Sequence, residues 1–198
     1  MNILLINHYA GSPDHGMEFR PYYLARQWTA RGHRVTIVAA TYSHLRSMQP
    51  PEDGPVTDEV RDGIRYLWLR TPGYTGNGID RIMNMLAFLG RLWLLRGDLE
   101  RSFQPDVVIA SSTYPLDIYP ARSIARRTGA RLIFEVHDLW PLSPMELGGL
   151  SRWHPFIMVM QAAENAAYRS SDAVVNICGR IGHLQMGARR VIQPCALG

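Results

Sequence analysis

The first 40 residues contain a short apolar run, a loop with glycines, a helical pattern and a second apolar run. The apolar runs span residues 2–7 and 34–39, and the helix is predicted over residues 17–30. Two parallel strands joined through a helix form a βαβ unit, whose crossover is right-handed. This unit constrains the fold most strongly, because a parallel sheet has to be covered by helices on both faces.

The rest of the chain continues the alternation of strands and helices. A hairpin is predicted over residues 59–70, because Asp62-Gly63 between two extended runs is a strong turn signal. Further strands are predicted over residues 106–110, 131–136, 173–177 and 190–193, helices over 79–103, 115–128 and from 155, and long loops over 41–58 and 139–154. We predict one α/β domain over residues 1–198, a Rossmann-like, doubly wound, mainly parallel sheet with helices on both faces.

The composition is that of a globular protein, with 46% hydrophobic and 19% charged residues. The net charge is +4, and all 21 basic residues are arginines. Planar guanidinium groups suit phosphate recognition, but a genome rich in G and C explains the arginines more simply. Cys178 and Cys195 lie far apart without metal-ligand spacing around them. We expect no disulfide framework, no metal, no other cofactor and no nucleic-acid partner.

The predicted strand over residues 131–136 ends abruptly at His137 and Asp138. In an open α/β sheet, ligands bind at the carboxyl ends of the strands, so this pair lies where chemistry is expected. His137 is a candidate acid/base or hydrogen-bond donor, and Asp138 is its natural orienting partner. A buried histidine bonded to the backbone is the alternative. Glu146, on the loop that follows, is a candidate for closing over the same crevice.

The loop after the first strand is a second candidate part of the site. Gly11 and Gly16 would let backbone N–H groups approach an anion at the start of a helix, and Arg20 could reach a phosphate from the first helical turn. The spacing is not G-x-G-x-x-G and no acidic residue ends the second strand, so a dinucleotide cofactor is disfavoured. An ordinary glycine turn with a surface arginine is the alternative.

Hydroxyl groups follow the strand predicted over residues 106–110. Ser111, Thr113 and Tyr114 are candidates for hydrogen bonds to a sugar or a phosphate. The serines and the threonine also precede Pro115, a favoured first-turn residue, so they are predicted to cap the following helix. Both roles can hold together.

The helix predicted over residues 79–103 carries two apolar stripes and only a narrow polar side. One stripe runs through Ile79, Ile82, Met83, Leu86, Leu89 and Trp93, and the other through Met85, Phe88, Leu92, Leu95 and Leu99. Burial on both sides within the protein is the usual explanation of such a helix. The alternative is shallow docking on an anionic membrane, helped by Arg81, Arg91, Arg96 and Arg101. No apolar run of about 18 residues and no charged leader are present, so we expect a cytoplasmic protein.

Several segments in a fixed order carry a resemblance to a known family. They include Arg31-Gly32-His33-Arg34-Val35, Pro105-Asp106-Val107-Val108, residues 135–141 (EVHDLWP) and Ser171-Asp172-Ala173-Val174. Together they resemble the N-terminal half of a GT-B glycosyltransferase of family 4. Within that family the chain is most similar to bacterial sugar transferases of polysaccharide assembly.

The resemblance implies a retaining transferase that moves a sugar from a nucleotide-sugar to an acceptor. The acceptor is often linked to a polyprenyl (pyro)phosphate on the inner face of the cell membrane. The resemblance places Gly11 and Gly16 near the donor phosphates and His137 against the reacting sugar, without a metal. Similar transferases often carry Arg-Asp in place of His137-Asp138.

The resemblance also implies a second Rossmann-like domain, which supplies most contacts to the nucleotide. The family joins its halves through a segment like Pro-Asn-Gly-Val-Asp, whereas this chain ends in residues 194–198 (PCALG). We therefore expect an acceptor-side domain that does not transfer sugar alone. Two other functions remain open: a binding module that tethers a partner to a membrane, and half of a GT-B-like sugar-nucleotide epimerase or hydrolase.

Overall fold

The computed structural model describes residues 1–16, 19–76, 78–138, 140–146, 148–176 and 191–192. Within this part of the chain one sheet has eight strands in the order β3-β4-β2-β1-β5-β6-β7-β8. The strands are β1 (Asn2–Ile6), β2 (Arg34–Ala40), β3 (Val56–Arg61), β4 (Ile64–Leu69), β5 (Val107–Ala110), β6 (Arg131–Val136), β7 (Ala173–Asn176) and β8 (Val191–Ile192). The β3–β4 pair is antiparallel, and the other described pairs are parallel.

Helices connect the parallel strands. They are α1 (Phe19–Ala30), α2 (Ile79–Asp98), α3 (Ile118–Thr128), α4 (Leu142–Glu146) and α5 (Pro155–Ser170), with 3-10 turns at Pro13–His15 and Pro115–Asp117 and a π turn at Leu99–Phe103. The prediction of an uninterrupted loop over 139–154 is wrong, because α4 lies inside it. The hairpin is confirmed, although its first strand begins at Val56, inside the predicted loop. The predicted first two residues of α1 lie outside the described residues.

Two apolar clusters cover the two faces of the sheet. Successive residues of a strand point to opposite faces, so Leu4 and Ile6 face one cluster, while Ile3 and Leu5 face the other. The first cluster includes buried residues of α2 and α3, and the second includes buried residues of α1. The predicted doubly wound sheet with helices on both faces is therefore confirmed.

Helix α2 buries only one of its two apolar stripes. Phe88 and Leu92 are fully buried against the sheet. The other stripe is exposed; its members include Ile79, Ile82, Met83, Leu86 and Trp93. The prediction that α2 is buried on both sides is therefore wrong within the described chain. In that part of the chain, no helix combines the length and the apolarity that crossing a membrane requires.

Candidate functional site

Three neighbouring strands, β1, β5 and β6, end at the same edge of the sheet. Because Ile6 pairs with Ala110 and Ala110 pairs with Phe134, the residues that follow these strands come together. The Asn7 amide nitrogen donates to the Ser111 carbonyl oxygen at 2.6 Å, which ties the first two loops to each other. A polar cluster has therefore formed at the carboxyl edge, where the fold favours ligand binding.

Glu135, the penultimate residue of β6, is the centre of this cluster. Its side chain is 4% exposed. One carboxylate oxygen, Oε1, accepts from Arg20 Nε at 2.9 Å and from Arg20 Nη2 at 2.6 Å. The other, Oε2, accepts from Ser111 Oγ at 2.7 Å and lies 3.2 Å from His137 Nε2. A buried carboxylate is tolerated here because donors from three segments surround it.

The charge of Glu135 is favoured by these donors. Burial alone would raise its pKa, but the hydrogen bond and charge of His137, the hydroxyl of Ser111 and the charge of Arg20 outweigh burial. The net effect lowers the pKa of Glu135 from 4.5 to about 2. The site therefore holds a buried carboxylate at neutral pH.

A second buried network follows β1 and reaches helix α2. His8 Nδ1 lies 2.5 Å from the Tyr114 hydroxyl, and His8 Nε2 lies 2.7 Å from Asn84 Oδ1. The Asn84 amide nitrogen is itself a donor to a carbonyl, so Oδ1 accepts from Nε2–H, and Nδ1 accepts from the tyrosine. Burial, with two arginine charges, outweighs the Asn84 hydrogen bond and lowers the pKa of His8 from 6.5 to about 3. His8 is therefore neutral.

Asp117 is a third buried titratable group beside the cleft. Its Oδ2 accepts from the Ser112 backbone N–H at 3.0 Å, and its Oδ1 has no hydrogen-bond partner in the described part of the chain. Burial raises the pKa of Asp117 from 3.8 to about 6, although hydrogen bonds from Ser112 and the charge of His137 oppose the effect. At neutral pH, the negative charge of Asp117 is therefore stabilised by fewer hydrogen-bond donors than that of Glu135.

A narrow cleft opens beside these groups. Its lining includes Thr113, Tyr114, Glu135, His137, Asp138 and Glu164. Glu164 belongs to α5, and burial raises its pKa although a hydrogen bond from Gln161 opposes the effect. Hydroxyl, imidazole and carboxylate groups on one wall can bind the hydroxyl groups of a sugar and can accept or donate a proton.

The family of glycosyl transferase 4-like domains has a sequence model that matches residues 15–189. This chain belongs to that family. The match begins at residue 15, after β1 and most of the loop that follows it, and it includes Arg20, the cleft-lining residues and α5. No curated protein sequence gives a significant match to the chain.

Solved glycosyltransferases have the same fold as this glycosyl transferase 4-like domain. Arabidopsis thaliana UGT89C1 superposes with a TM-score of 0.56 at 17% identity, over 96% of this chain and 48% of the other. The same plant protein complexed with UDP-L-rhamnose gives a TM-score of 0.56 at 16% identity, over 96% and 47%. Its quercetin complex gives 0.53 at 15% identity, over 96% and 49%. The chain spans about half the length of these structures.

In the glycosyl transferase 4-like domain, His137 lies at the cleft wall and contacts Glu135. The side chain is 8% exposed, and Nε2 lies 2.9 Å from Ser111 Oγ and 3.2 Å from Glu135 Oε2. Asp138 is exposed and also lines the cleft, so its orienting role stays a prediction, whereas the buried Glu135 lies directly against His137 Nε2.

The glycine loop is closed by its own hydrogen bonds. The Gly16 N–H donates to the Ser12 carbonyl at 3.2 Å, and the Gly11 carbonyl accepts from the Tyr66 hydroxyl at 3.1 Å. Gly16 has φ +86° and lies against Ser47, so glycine is required by the turn itself. Arg20 points to Glu135 and is engaged there with both Nε and Nη2. The Arg20 side chain is 38% exposed and ends at the buried carboxylate, and its contact with a phosphate stays a prediction.

The hydroxyl residues after β5 divide between inward and cleft-lining positions. The Ser111 hydroxyl donates to Glu135, and the Tyr114 hydroxyl donates to His8, whereas half-buried Thr113 lines the cleft. The 3-10 turn at Pro115 begins without a side-chain hydrogen bond at its cap, so the capping prediction is wrong. Glu146 is exposed in α4 and is not among the cleft-lining residues, so its predicted closure over the crevice has no structural support.

Sequence reasoning missed Glu135, His8, Asn84 and Glu164 as members of the site. A signal was present for Glu135, because one glutamate interrupts the otherwise apolar run 132–136. Among the described residues, no group of three or more His, Cys, Asp or Glu side chains could hold a metal ion.

Proposed function

We propose that this glycosyl transferase 4-like domain is the acceptor-side half of a GT-B glycosyltransferase. The observation that carries the proposal is the polar cluster of Arg20, Glu135 and His137 at the carboxyl edge of the sheet, in a domain of this family. A second Rossmann-like domain would bind the nucleotide-sugar, and the reacting sugar would lie in the cleft between the two domains. The complex of a similarly folded plant protein with UDP-L-rhamnose supports a nucleotide-sugar donor.

In this proposal, His137 contacts the reacting sugar. The bond between the anomeric carbon of that sugar and the diphosphate oxygen breaks during the reaction. A hydroxyl oxygen of the acceptor forms the new bond, with retention of configuration, and the proton of that hydroxyl passes to the departing diphosphate. The loop from Gly11 to Gly16 forms the wall near the donor phosphates. The Gly16 N–H already donates to a carbonyl within the loop. The loop therefore shapes the wall of the cleft, and the Gly16 N–H is not one of the donors to the phosphates. Departing phosphate charge is stabilised by fixed hydrogen-bond donors.

Transfer by the full-length gene product that contains this chain tests the proposal. The product is incubated with nucleotide-sugars and with lipid-linked or free saccharide acceptors, and the 198-residue chain is assayed beside it. We expect transfer by the full-length product and none by the chain alone. Absence of transfer by the full-length product would overturn the proposal. A changed sugar-nucleotide or free sugar formed without acceptor would instead identify an epimerase or a hydrolase.

The role of His137 has its own test in the full-length product. A His137→Ala variant should lose transfer while its far-UV circular dichroism and melting temperature stay close to those of the wild type. His33→Ala is the matched control, because His33 lies just before β2, at the opposite edge of the sheet. Equal transfer rates for the His137→Ala variant and the wild type would remove His137 from the reaction.

We further infer that helix α2 docks on an anionic membrane surface, which fits a lipid-linked acceptor of a surface polysaccharide. On the exposed side of α2, Leu86 of the stripe and Leu94 beside it are 53% and 82% exposed. Such a contiguous apolar surface on one helix marks an interaction face. On its inner side the same helix touches the site, since Asn84 contacts His8 and Arg81 contacts the Tyr9 hydroxyl.

Positive charge accompanies the apolar stripe. A groove between α2 and α3 is lined by Trp93 and Tyr119 together with Arg122, Arg126 and Arg127. In the described chain, Arg122 and Arg126 make no salt bridge, and Arg127 has Glu100 at 3.4 Å. Arg96 lies over the Trp93 ring at 4.5 Å. Aromatic rings beside exposed guanidinium groups suit the headgroup region of an anionic bilayer.

Flotation with vesicles tests membrane docking. The wild type should float with vesicles that contain anionic lipid and much less with zwitterionic vesicles or at high salt. The Ile82→Glu/Leu86→Glu double variant should remain at the bottom of the gradient. Met48→Glu/Val60→Glu is the matched control, because both side chains are exposed but lie outside α2. Flotation of the Ile82→Glu/Leu86→Glu variant at the wild-type level would refute docking through this face.

A further inference from the structure

The Glu135 carboxylate bonds to side chains from three separate segments of the chain. Arg20 comes from α1, Ser111 follows β5, and His137 follows β6. All three bond to one carboxylate, and each bond is between 2.6 and 3.2 Å. Burying a carboxylate costs several kcal/mol relative to water, and an apolar residue at this strand position would avoid that cost. Stability alone therefore does not account for a glutamate here.

The hydrogen-bond pattern also decides where His137 carries a proton. The single hydrogen of the Ser111 hydroxyl is directed to Glu135 Oε2 at 2.7 Å, so Ser111 Oγ offers a lone pair to His137 Nε2 at 2.9 Å. An ionised carboxylate is an acceptor only. Both groups that face Nε2 therefore accept, and Nε2 has to bear hydrogen.

We propose that Glu135 is a positioning residue for His137: it fixes the imidazole as the form protonated on Nε2 and holds Arg20 and Ser111 around it. The inference rests on the proposed function in so far as His137 serves sugar transfer. The protonated nitrogen is directed inward to the carboxylate, so the ring presents a constant edge to the cleft. Fixing one ring nitrogen by a hydrogen bond is the general way in which proteins select the tautomer of a functional histidine.

A Glu135→Gln substitution replaces the acceptor that faces His137 Nε2 with a donor. Arginine has donors only, so Arg20 keeps the amide oxygen of the new glutamine on its own side. The amide NH2 group is then directed towards Ser111 and His137, where it donates. Nε2 would have to accept, and the ring would change to the form protonated on Nδ1 or turn away. A purely structural role for Glu135 makes no such prediction.

Nitrogen-15 NMR of the 198-residue chain at mildly alkaline pH measures this directly, without any sugar transfer. In the wild type, the Nε2 resonance of His137 should have the position of a nitrogen that bears hydrogen. In the Glu135→Gln variant, that resonance should move to the position of an unprotonated nitrogen or split between the two. Glu59→Gln is the matched control, because Glu59 is also a strand glutamate that is bonded to an arginine, outside the cleft.

Two further variants keep the test decisive. Ser111→Ala removes one neighbour of Nε2 but leaves the carboxylate, so the Nε2–H form should persist. If Glu135→Gln does not fold, Glu135→Asp takes its place: the shortened carboxylate should retain the charge but weaken the Nε2 contact, giving a mixture of the two forms. An unchanged His137 spectrum in a folded Glu135→Gln variant, or loss of the Nε2–H form in Ser111→Ala, would overturn the proposal.

Kinetics of the full-length product complete the test. Glu135→Gln should lower kcat about 10- to 100-fold with little change in KM, since a misplacement of about 1 Å can cost roughly that factor. Glu135→Asp should recover part of kcat, and Glu59→Gln should match the wild type. If the wild type transfers no sugar, the proposed function is refuted, but the NMR result still tests the positioning role of Glu135. If the wild type is active and Glu135→Gln has the same kcat, the positioning role is refuted.

Discussion

Replacement of Asp117 by asparagine should stabilise this domain at neutral pH and remove one component of its pH dependence. Asp117 is fully buried, and only its Oδ2 has a hydrogen-bond partner in the described chain, the Ser112 N–H at 3.0 Å. Asparagine keeps an acceptor for that N–H and removes the buried charge. Because the substitution is nearly isosteric, the change in unfolding free energy reports mainly on the charge.

The magnitude follows from the difference between the folded and unfolded pKa values of Asp117. Burial raises the pKa to about 6 from 3.8. At 1.36 kcal/mol per pKa unit, the ionised folded state is disfavoured by about 3 kcal/mol above pH 6. Because the folded-state pKa is the higher one, the folded chain holds the proton more tightly. The contribution of Asp117 to stability therefore improves as the pH falls from above 6 towards 3.8.

Urea unfolding at several pH values measures the effect. We expect Asp117→Asn to be more stable than the wild type by up to about 3 kcal/mol near pH 7.5, with the difference falling below about 1 kcal/mol near pH 4. Groups that are far from Asp117 titrate equally in both proteins, so the difference reports mainly on Asp117. Asp53→Asn, at an exposed loop position, should show no such trend. A difference between Asp117→Asn and the wild type that does not vary with pH would refute the reasoning.

The remaining predictions concern burial, acid stability and turns, and urea unfolding checks each of them. The pKa of His8 is lowered to about 3 from 6.5, so the unfolded chain takes up the proton first, and stability should fall by about 1.4 kcal/mol per pH unit below about pH 6.5. His8→Gln should lack that slope, and an equal slope in both proteins would contradict a buried neutral His8. Phe88→Ala should lower the free energy of unfolding by about 3–5 kcal/mol, whereas Leu94→Ala, on the exposed side of α2, should change it by about 0.5 kcal/mol or less. Equal changes in the two variants would contradict the observed orientation of the helix. Gly16→Ala should lower the free energy of unfolding by about 2 kcal/mol, because the new methyl group meets Ser47 at a left-handed position. Gly129→Ala should lower it by about 1 kcal/mol, because Gly129 is also left-handed but lies in open space. The reverse order would contradict the turn geometry.

Much of the fold could be predicted because periodicity is a local property of the chain. Apolar runs of strand length, a helical pattern between them and the Asp-Gly turn were sufficient for the doubly wound sheet. The predicted ends of strands and helices were less accurate where the same residues can form either a loop or a regular element. Val56 joined β3 although Pro55 precedes it, because pairing with Leu69 completes the hairpin. Helix α4 formed within a segment whose prolines had indicated a loop.

Part of the candidate site was also predictable, because the carboxyl ends of parallel strands meet at one edge. His137 and Ser111 were singled out from their places after such strands, and Arg20 from its place in the first turn of the first helix. Their partners were not predictable, since Arg20 and Glu135 are 115 residues apart and no local pattern encodes that contact. The same limit applied to the contact between His137 and Ser111, which lie 26 residues apart in the sequence.

The sequence by itself determined the class of fold, the edge of the sheet that carries the polar groups and the presence of two apolar stripes on α2. Tertiary structure decided which stripe is buried, because burial depends on the surface that the sheet offers and not on the hydrophobicity of the helix. It also decided the partner of His137. Hydrogen bonds between distant segments form only after the strands have set their register, so Glu135 acquires its three partners from the completed fold.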